Sequence, residues 1–243
     1  MELEEYRLMF ELEETHWWYR GLQNLLFSSI EKIFCKQRKI NILDAGCGTG
    51  YILQCLNKYG ISFGIDISEV ALRYCQSRAL NRITKASISE LPFRDESFDL
   101  VVSTDVFYHK AVENDNNAIK EIFRVLKKEG VMIINLPAHN YLKRGHDENV
   151  HTKQRYNKEE VYYKLRNNNF KIIKISYRNA FSFPILLFLK LLGNKFHKKK
   201  YTNLRAINEP VNSILYGVLK TENALLKSIN IPFGVSLFCI AKK

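Results

Sequence analysis

The chain is 243 residues long, 46% hydrophobic and 26% charged, with a formal net charge of +12, which suits one α/β domain carrying insertions. Its five cysteines, Cys35, Cys47, Cys55, Cys75 and Cys239, are scattered and include no C-x-x-C pair, which excludes a disulfide frame and a zinc site. No apolar run approaches the roughly 18–20 residues of a spanning helix, and the acidic opening Met-Glu-Leu-Glu-Glu is the reverse of a secretory leader, so a cytoplasmic protein is expected.

Residues 2–14 carry Leu3, Tyr6, Met9, Phe10 and Leu12 among acids, the spacing of an amphipathic helix. Thr15-His-Trp-Trp-Tyr-Arg-Gly21 follows, and residues 22–34 read as a second helix. Neighbours on a helix point about 100° apart, so one of Trp17 and Trp18 packs while the other, with His16, Tyr19 or Arg20, faces a pocket. A hydrophobic clasp of the two helices over the domain is the alternative.

Ile40, Ile42 and Leu43 form the apolar run of a buried parallel strand. Gly46, Gly48 and Gly50 then arrive at alternate positions, ahead of a helical run from Tyr51. Strand, glycine turn and helix bring backbone close to a nucleotide-like ligand. Asp44 stands just before the first glycine, where it repels a pyrophosphate and welcomes a cationic amino acid end. Residues 63–68 read as a second strand ending in Asp66, placed to accept ribose hydroxyls, with Ser68 able to cap the next helix.

Leu43-Asp-Ala-Gly-Cys-Gly-Thr-Gly50 with Gly64-Ile-Asp-Ile-Ser68 resembles motif I and its acidic follower in class I S-adenosylmethionine-dependent methyltransferases. The resemblance implies a doubly wound, mostly parallel sheet of seven strands and S-adenosylmethionine as cofactor, held by Asp44, Gly46, Gly48, Gly50, Asp66 and Ile67. Glu13-x-x-His-Trp-Trp-Tyr-x-Gly21 is similar to the front end of a subset of the family whose N-terminal helices lid the cofactor. On that pattern Arg20 or Tyr19 binds the cofactor carboxylate, and Trp18 faces substrate.

Residues 70–80 fit a helix and residues 83–87 a weak strand. Ala86-Ser-Ile-Ser-Glu-Leu-Pro-Phe93 matches the family's adenine-contacting turn, which by resemblance offers Ser87 and Ile88; Leu91, Pro92 and Phe93 wall the ring or pack in the core. The fourth strand, residues 100–103, ends at Thr104-Asp-Val-Phe-Tyr-His109, so Thr104, Tyr108 and His109 line the transfer site at the strand ends, His109 orienting substrate or holding the loop. Residues 118–127 then form a helix and 131–136 a fifth strand; Glu121-Ile-Phe-Arg-Val-Leu-Lys-Lys-Glu-Gly130 again follows the family pattern.

Past that strand come His139 and the string Gly145-His-Asp-Glu-Asn-Val-His-Thr-Lys-Gln-Arg-Tyr156, which resembles a loop in methyltransferases sharing the Trp-Trp front end. A proton must leave most oxygen or nitrogen nucleophiles on methylation, so His146 or His151 is the candidate base, Asp147 orients it, and Arg155 grips an anionic part of the substrate beside Tyr156 and His139. A hydrogen-bonded structural loop is the alternative; a metal reading lacks a carboxylate triad, and no metal is expected.

Asn157 opens a helix to residue 167, residues 170–177 alternate as a sixth strand, and residues 233–241 form an antiparallel seventh. The expected division is a helical cap at 1–38, a cofactor-binding core at 39–177, a helical insertion at 178–232 and the last strand at 233–243. The insertion holds two apolar helical stretches, 180–192 and 211–229, around Lys195, Lys198, Lys199, Lys200 and Arg205. It serves as a lid over an apolar substrate, a homodimer face, or a peripheral membrane contact through 180–205; the plain alternative for the charges is a solvated run. The expected partner is a small-molecule substrate, and nucleic acid is not favoured because no aromatic-rich RNA motif interrupts the basic run.

Overall fold

Alternating apolar residues along the strands build a seven-stranded sheet, seen in a computed structural model that describes residues 1–35, 39–143, 145–191 and 207–243. Its strands are β1 (Ile40–Ala45), β2 (Gly60–Asp66), β3 (Ile83–Lys85), β4 (Phe98–Thr104), β5 (Leu126–Pro137), β6 (Lys171–Arg178) and β7 (Ser236–Lys242). They lie in the order β3-β2-β1-β4-β5-β7-β6. All pairs are parallel except those of β7, which is antiparallel to both β5 and β6. This is the expected doubly wound, mostly parallel architecture.

The helices are α1 (Leu3–Leu12), α2 (Trp17–Phe34), α3 (Tyr51–Leu56), α4 (Glu69–Ser77), α5 (Asp115–Val125), α6 (Gly145–Asn149), α7 (Lys158–Asn167), α8 (Ser182–Leu191) and α9 (Glu209–Leu226). Successive strand residues point to opposite faces, so both faces carry core. Leu43, Val101, Met132 and Ile134 pack with Ile119 and Ile122 of α5 and Leu165 of α7. Ile42, Leu100, Val102 and Ile133 pack on the other face with Leu22, Leu26 and Ile30 of α2 and Leu226 of α9. Among the described residues, no helix is long and apolar enough to cross a membrane.

Some boundaries differ from the sequence reading for local reasons. Helix α2 starts at Trp17 because His16 Nδ1 caps it, accepting from Trp18 N at 3.3 Å. Asn114 Oδ1 accepts from Asn116 N and starts α5 earlier than the apolar spacing does. Strand β5 starts at Leu126, paired with Phe98, and its register shifts before Val131 pairs with Leu100, with Glu129 at φ +65° between them.

Two sets of contacts fix the helices around the cavity. From α9, Asn212 Oδ1 accepts from Trp17 N at 2.8 Å and Asn212 Nδ2 donates to Thr15 O at 2.9 Å, while Asn223 Nδ2 donates to Gly21 O at 2.8 Å. Following α4, Arg78 donates to Glu13 at 3.0 Å, to Glu14 at 2.6 Å and to Thr49 O at 3.1 Å, and its guanidinium lies 4.5 Å from the Phe10 ring centroid. The basic run 195–205 lies outside the described residues.

Candidate active site

A cavity of about 640 Å³ opens at the carboxyl ends of β1, β2 and β4, beside the point where the strand order reverses. Gly46 turns the chain there with φ +96°, and a Cβ on it would stand 2.2 Å from Val106 Cγ2, so only glycine passes beneath the loop after β4. Asp44, at 1% exposure, sits against this turn, and neither of its carboxylate oxygens has a hydrogen-bond partner among the described residues. Burial first, then the Asp66 and Glu13 carboxyls, push its pKa up to about 8. Asp66 accepts from Gly48 N at 3.0 Å and Ser68 N at 2.8 Å, tying the glycine turn to the start of α4. Burial raises the Asp66 pKa against the pull of those N–H groups.

Gly48, Ile67, Ser87, Ile88 and Thr104 also line the cavity, whereas Gly50 stands outside its wall. Gly50 instead starts α3 with φ +92° and packs against Cys75 and Leu80. The motif thus divides its labour: the first two glycines border the cavity and the third joins strand to helix.

The first turn of α2 supplies His16, Trp17, Trp18 and Tyr19 to the opposite wall. Both tryptophans border the cavity, edge to face at 5.5 Å, rather than one packing away. The reason is the early helix start, which sets Trp17, Trp18 and Tyr19 of the first turn against the opening. Arg20 turns away from the cavity, its guanidinium 4.0 Å from the Tyr216 ring centroid on α9. It therefore ties cap to insertion and is not at hand for a cofactor carboxylate.

In the loop around α6, His146 and Arg155 line the cavity, and His151 does not. His151 lies 3.2 Å from the Met1 amino group and 3.1 Å from Glu2 Oε1. Asp147 accepts from Arg155 Nε at 2.8 Å and Nη2 at 3.0 Å, so it orients the guanidinium rather than either histidine. That bidentate pair also meets the Arg155 charge, leaving little of it for an anionic substrate group. Tyr108 and His109 line the cavity; His109 Nδ1 accepts from Ala111 N at 3.1 Å, and burial followed by the amino terminus lowers its pKa to about 4.

His139 lies outside the cavity, stacked on Tyr141 at 4.9 Å and Tyr177 at 4.8 Å. Tyr156 is 2% exposed, its hydroxyl 2.9 Å from Phe107 O and 3.0 Å from Asp115 Oδ2, so it holds the loop and does not meet substrate.

Three acids on the cavity wall escaped the sequence reading: the buried Glu5 and Glu13 and the half-buried Asp105. Glu13 accepts from Thr49 Oγ1 at 2.5 Å and from Arg78, and burial pushes its pKa up to about 7. Asp105 accepts from Asn135 Nδ2 at 3.0 Å, and burial pushes it up to about 6. Its place directly after β4 was the available signal, whereas Glu5 and Glu13 were indistinguishable from the solvated acids of an amphipathic helix.

Residues 43–134 match the family model of the methyltransferase domain. The chain is 37% identical over 94 residues to the tRNA (carboxymethyluridine(34)-5-O)-methyltransferase of Arabidopsis thaliana, covering 38% of this chain and 23% of that protein. It is 39% identical over 94 residues to the human mitochondrial arginine-hydroxylase NDUFAF5, covering 37% and 27%. The match thus spans about a quarter of the length of these curated relatives. A SAM-dependent methyltransferase structure from Thermotoga maritima superposes with a TM-score of 0.60 at 19% identity, covering 99% of this chain and 95% of that one, a likeness of fold.

The residues present fit S-adenosylmethionine. Asp44 is a buried carboxyl without a donor among the described residues, which the ammonium of an amino acid end satisfies. Asp66 stands at the second strand end with lone pairs to spare for ribose hydroxyls, and Ser87 and Ile88 border the same cavity beyond it.

Proposed function

We propose that this chain, a class I S-adenosylmethionine-dependent methyltransferase by fold and by the domain it carries, methylates an oxygen or nitrogen of a small molecule. The observation that carries the reading is the continuous cavity joining Asp44, Gly46, Gly48 and Asp66 to His146, under Trp17, Trp18 and Phe181. The cofactor supplies a methyl group activated on a sulfonium. The protein's own work is then positioning and exclusion of water. Asp44 and Asp66 hold the amino acid and sugar ends, the Gly46–Gly48 backbone lets them approach, and Ser87 and Ile88 border the adenine. Helices α1, α2 and α8 close the top, with Phe181, Ile185 and Leu215 making the insertion the apolar lid of the acceptor site. His146 is the base, being the histidine of its loop that faces the cavity.

Incubation with S-adenosylmethionine and a panel of alcohols, phenols and amines, read by release of S-adenosylhomocysteine, tests this. His146→Gln lowers turnover at least ten-fold with cofactor affinity kept within a few-fold; full turnover in that variant removes the base from the account.

A membrane-borne acceptor is the second reading. Ile185 and Phe188 of α8 and Val211, Ile214 and Val218 of α9 are exposed apolar residues on the same insertion, and Ile185 also lines the cavity. Co-sedimentation with anionic vesicles separates the two. The Arabidopsis relative is named for tRNA; enclosure of the cavity by α1, α2 and α8 favours a small acceptor over a polynucleotide.

A further inference from the structure

Two orphaned polar atoms face one another behind the wall of the cavity. Glu5 Oε2 on α1 and His146 Nδ1 on α6 are both shut off from solvent, without a hydrogen-bond partner among the described residues, and stand 3.9 Å apart. That gap is too long for a hydrogen bond between them. The other Glu5 oxygen accepts from Asn149 Nδ2 at 3.1 Å, and Asn149 O in turn accepts from Glu2 N at 3.0 Å. The carboxyl is thereby held with its free oxygen toward the imidazole. Among the described residues, Asp147 and Arg155 also act on the ring, and they are paired with each other. A buried carboxyl facing the buried Nδ1 of the ring sets a counter-charge beside the imidazolium formed when the other nitrogen, Nε2, takes a proton.

We propose that Glu5 and His146 form an acid–base pair, in which Glu5 is the positioning residue that holds His146 ready to take the proton of a hydroxyl or amine acceptor. The pairing rests on the methyl-transfer reading above. The acceptor heteroatom bonds to the methyl carbon as the carbon–sulfur bond breaks, and its own proton passes to His146 Nε2, the ring nitrogen that is not shut off. Glu5 offsets the charge of the imidazolium until solvent takes the proton, and no oxidation or reduction occurs. The acceptor class follows from the same charges. A carboxylate or phosphate at this spot would meet Glu5 and find Arg155 already engaged, whereas a neutral alcohol, phenol or amine fits. The N-terminal helix is therefore part of the reacting apparatus and not only a cover.

The test is a histidine-selective NMR titration of the ligand-free protein, with His146→Gln to assign the resonance, in wild type, Glu5→Gln and Glu5→Asp. Removing a facing negative charge lowers the proton affinity of an imidazole. Glu5→Gln lowers the His146 pKa by at least half a unit, a three-fold or greater loss of proton affinity, and Glu5→Asp restores part of it. Calorimetry with S-adenosylhomocysteine shows affinity within two-fold of wild type in both variants. An unmoved His146 titration in Glu5→Gln overturns the pairing. Failure of wild type to bind S-adenosylhomocysteine instead overturns the methyl-transfer reading, while the titration still decides whether Glu5 acts on His146.

Discussion

Replacing Asp44 with asparagine should make the ligand-free protein more stable and the liganded one much less so. The carboxyl is 1% exposed with both oxygens orphaned, and its pKa stands at about 8 against an ordinary value of 3.8. A folded-state value above the unfolded one means that this group favours folding only when protonated. Its contribution is intact below about pH 4 and is lost as pH climbs through 8. Each unit between the two values costs about 1.4 kcal/mol, so at pH 7 the carboxyl burdens the fold by on the order of 4 kcal/mol. The replacement amide carries no such burden but keeps buried polar atoms without partners, a cost of about 1–3 kcal/mol. The net expectation for Asp44→Asn is a gain of about 1–3 kcal/mol at pH 7, growing toward pH 8 and turning into a loss of about 1–3 kcal/mol near pH 4, where the wild-type carboxyl carries no burden. Urea unfolding at unit steps of pH from 4 to 8 measures it. The same change removes a charge-assisted hydrogen bond to an ammonium, so calorimetry should show affinity for S-adenosylhomocysteine falling at least ten-fold. A variant that is less stable than wild type at pH 8, or whose stability follows pH with an unchanged slope, refutes the argument.

Other substitutions probe the neighbouring contacts. Asp66→Ala frees the Gly48 and Ser68 amides and should weaken S-adenosylhomocysteine binding at least ten-fold by calorimetry. Gly46→Ala combines a left-handed backbone with a 2.2 Å clash on Val106, so thermal unfolding should show a loss of about 1–3 kcal/mol together with lost ligand binding. Arg78→Met strands Glu13 in a site where the paired side chains are each 8% exposed; chemical denaturation should show a loss of about 3 kcal/mol. Protonation relieves an unpaired Glu13, so that loss should be smaller at pH 5 than at pH 8.

The sheet and the meeting of Asp44, Gly46, Gly48 and Asp66 on one cavity were legible because each is written in one short stretch of chain. Asp44, Gly46 and Gly48 follow β1 directly, and Asp66 closes β2, so strand position alone puts them at the same edge. Residues whose surroundings come from distant segments were not legible. Arg20 faces Tyr216 across α2 and α9, and nothing near Arg20 in sequence announces that contact. Arg155 meets Asp147 because the loop folds back around α6, which turned a presumed base-orienting acid into the arginine's partner. Tyr156 lies beside Asp115, a buried acid that also accepts from Lys153, Gln154 and Lys164. Glu5 shows the same limit from the other side: alternation along α1 places it among acids, and only the docking of α1 over the cavity buries it.

The most direct measurement is a crystal structure of the protein grown with S-adenosylhomocysteine. The account predicts the ligand's ribose hydroxyls on Asp66, its amino group on Asp44 and its sulfur turned toward His146 under the Trp17–Trp18 wall. Ligand bound elsewhere, or a cavity closed over by the α1 and α2 side chains at saturating ligand, contradicts it.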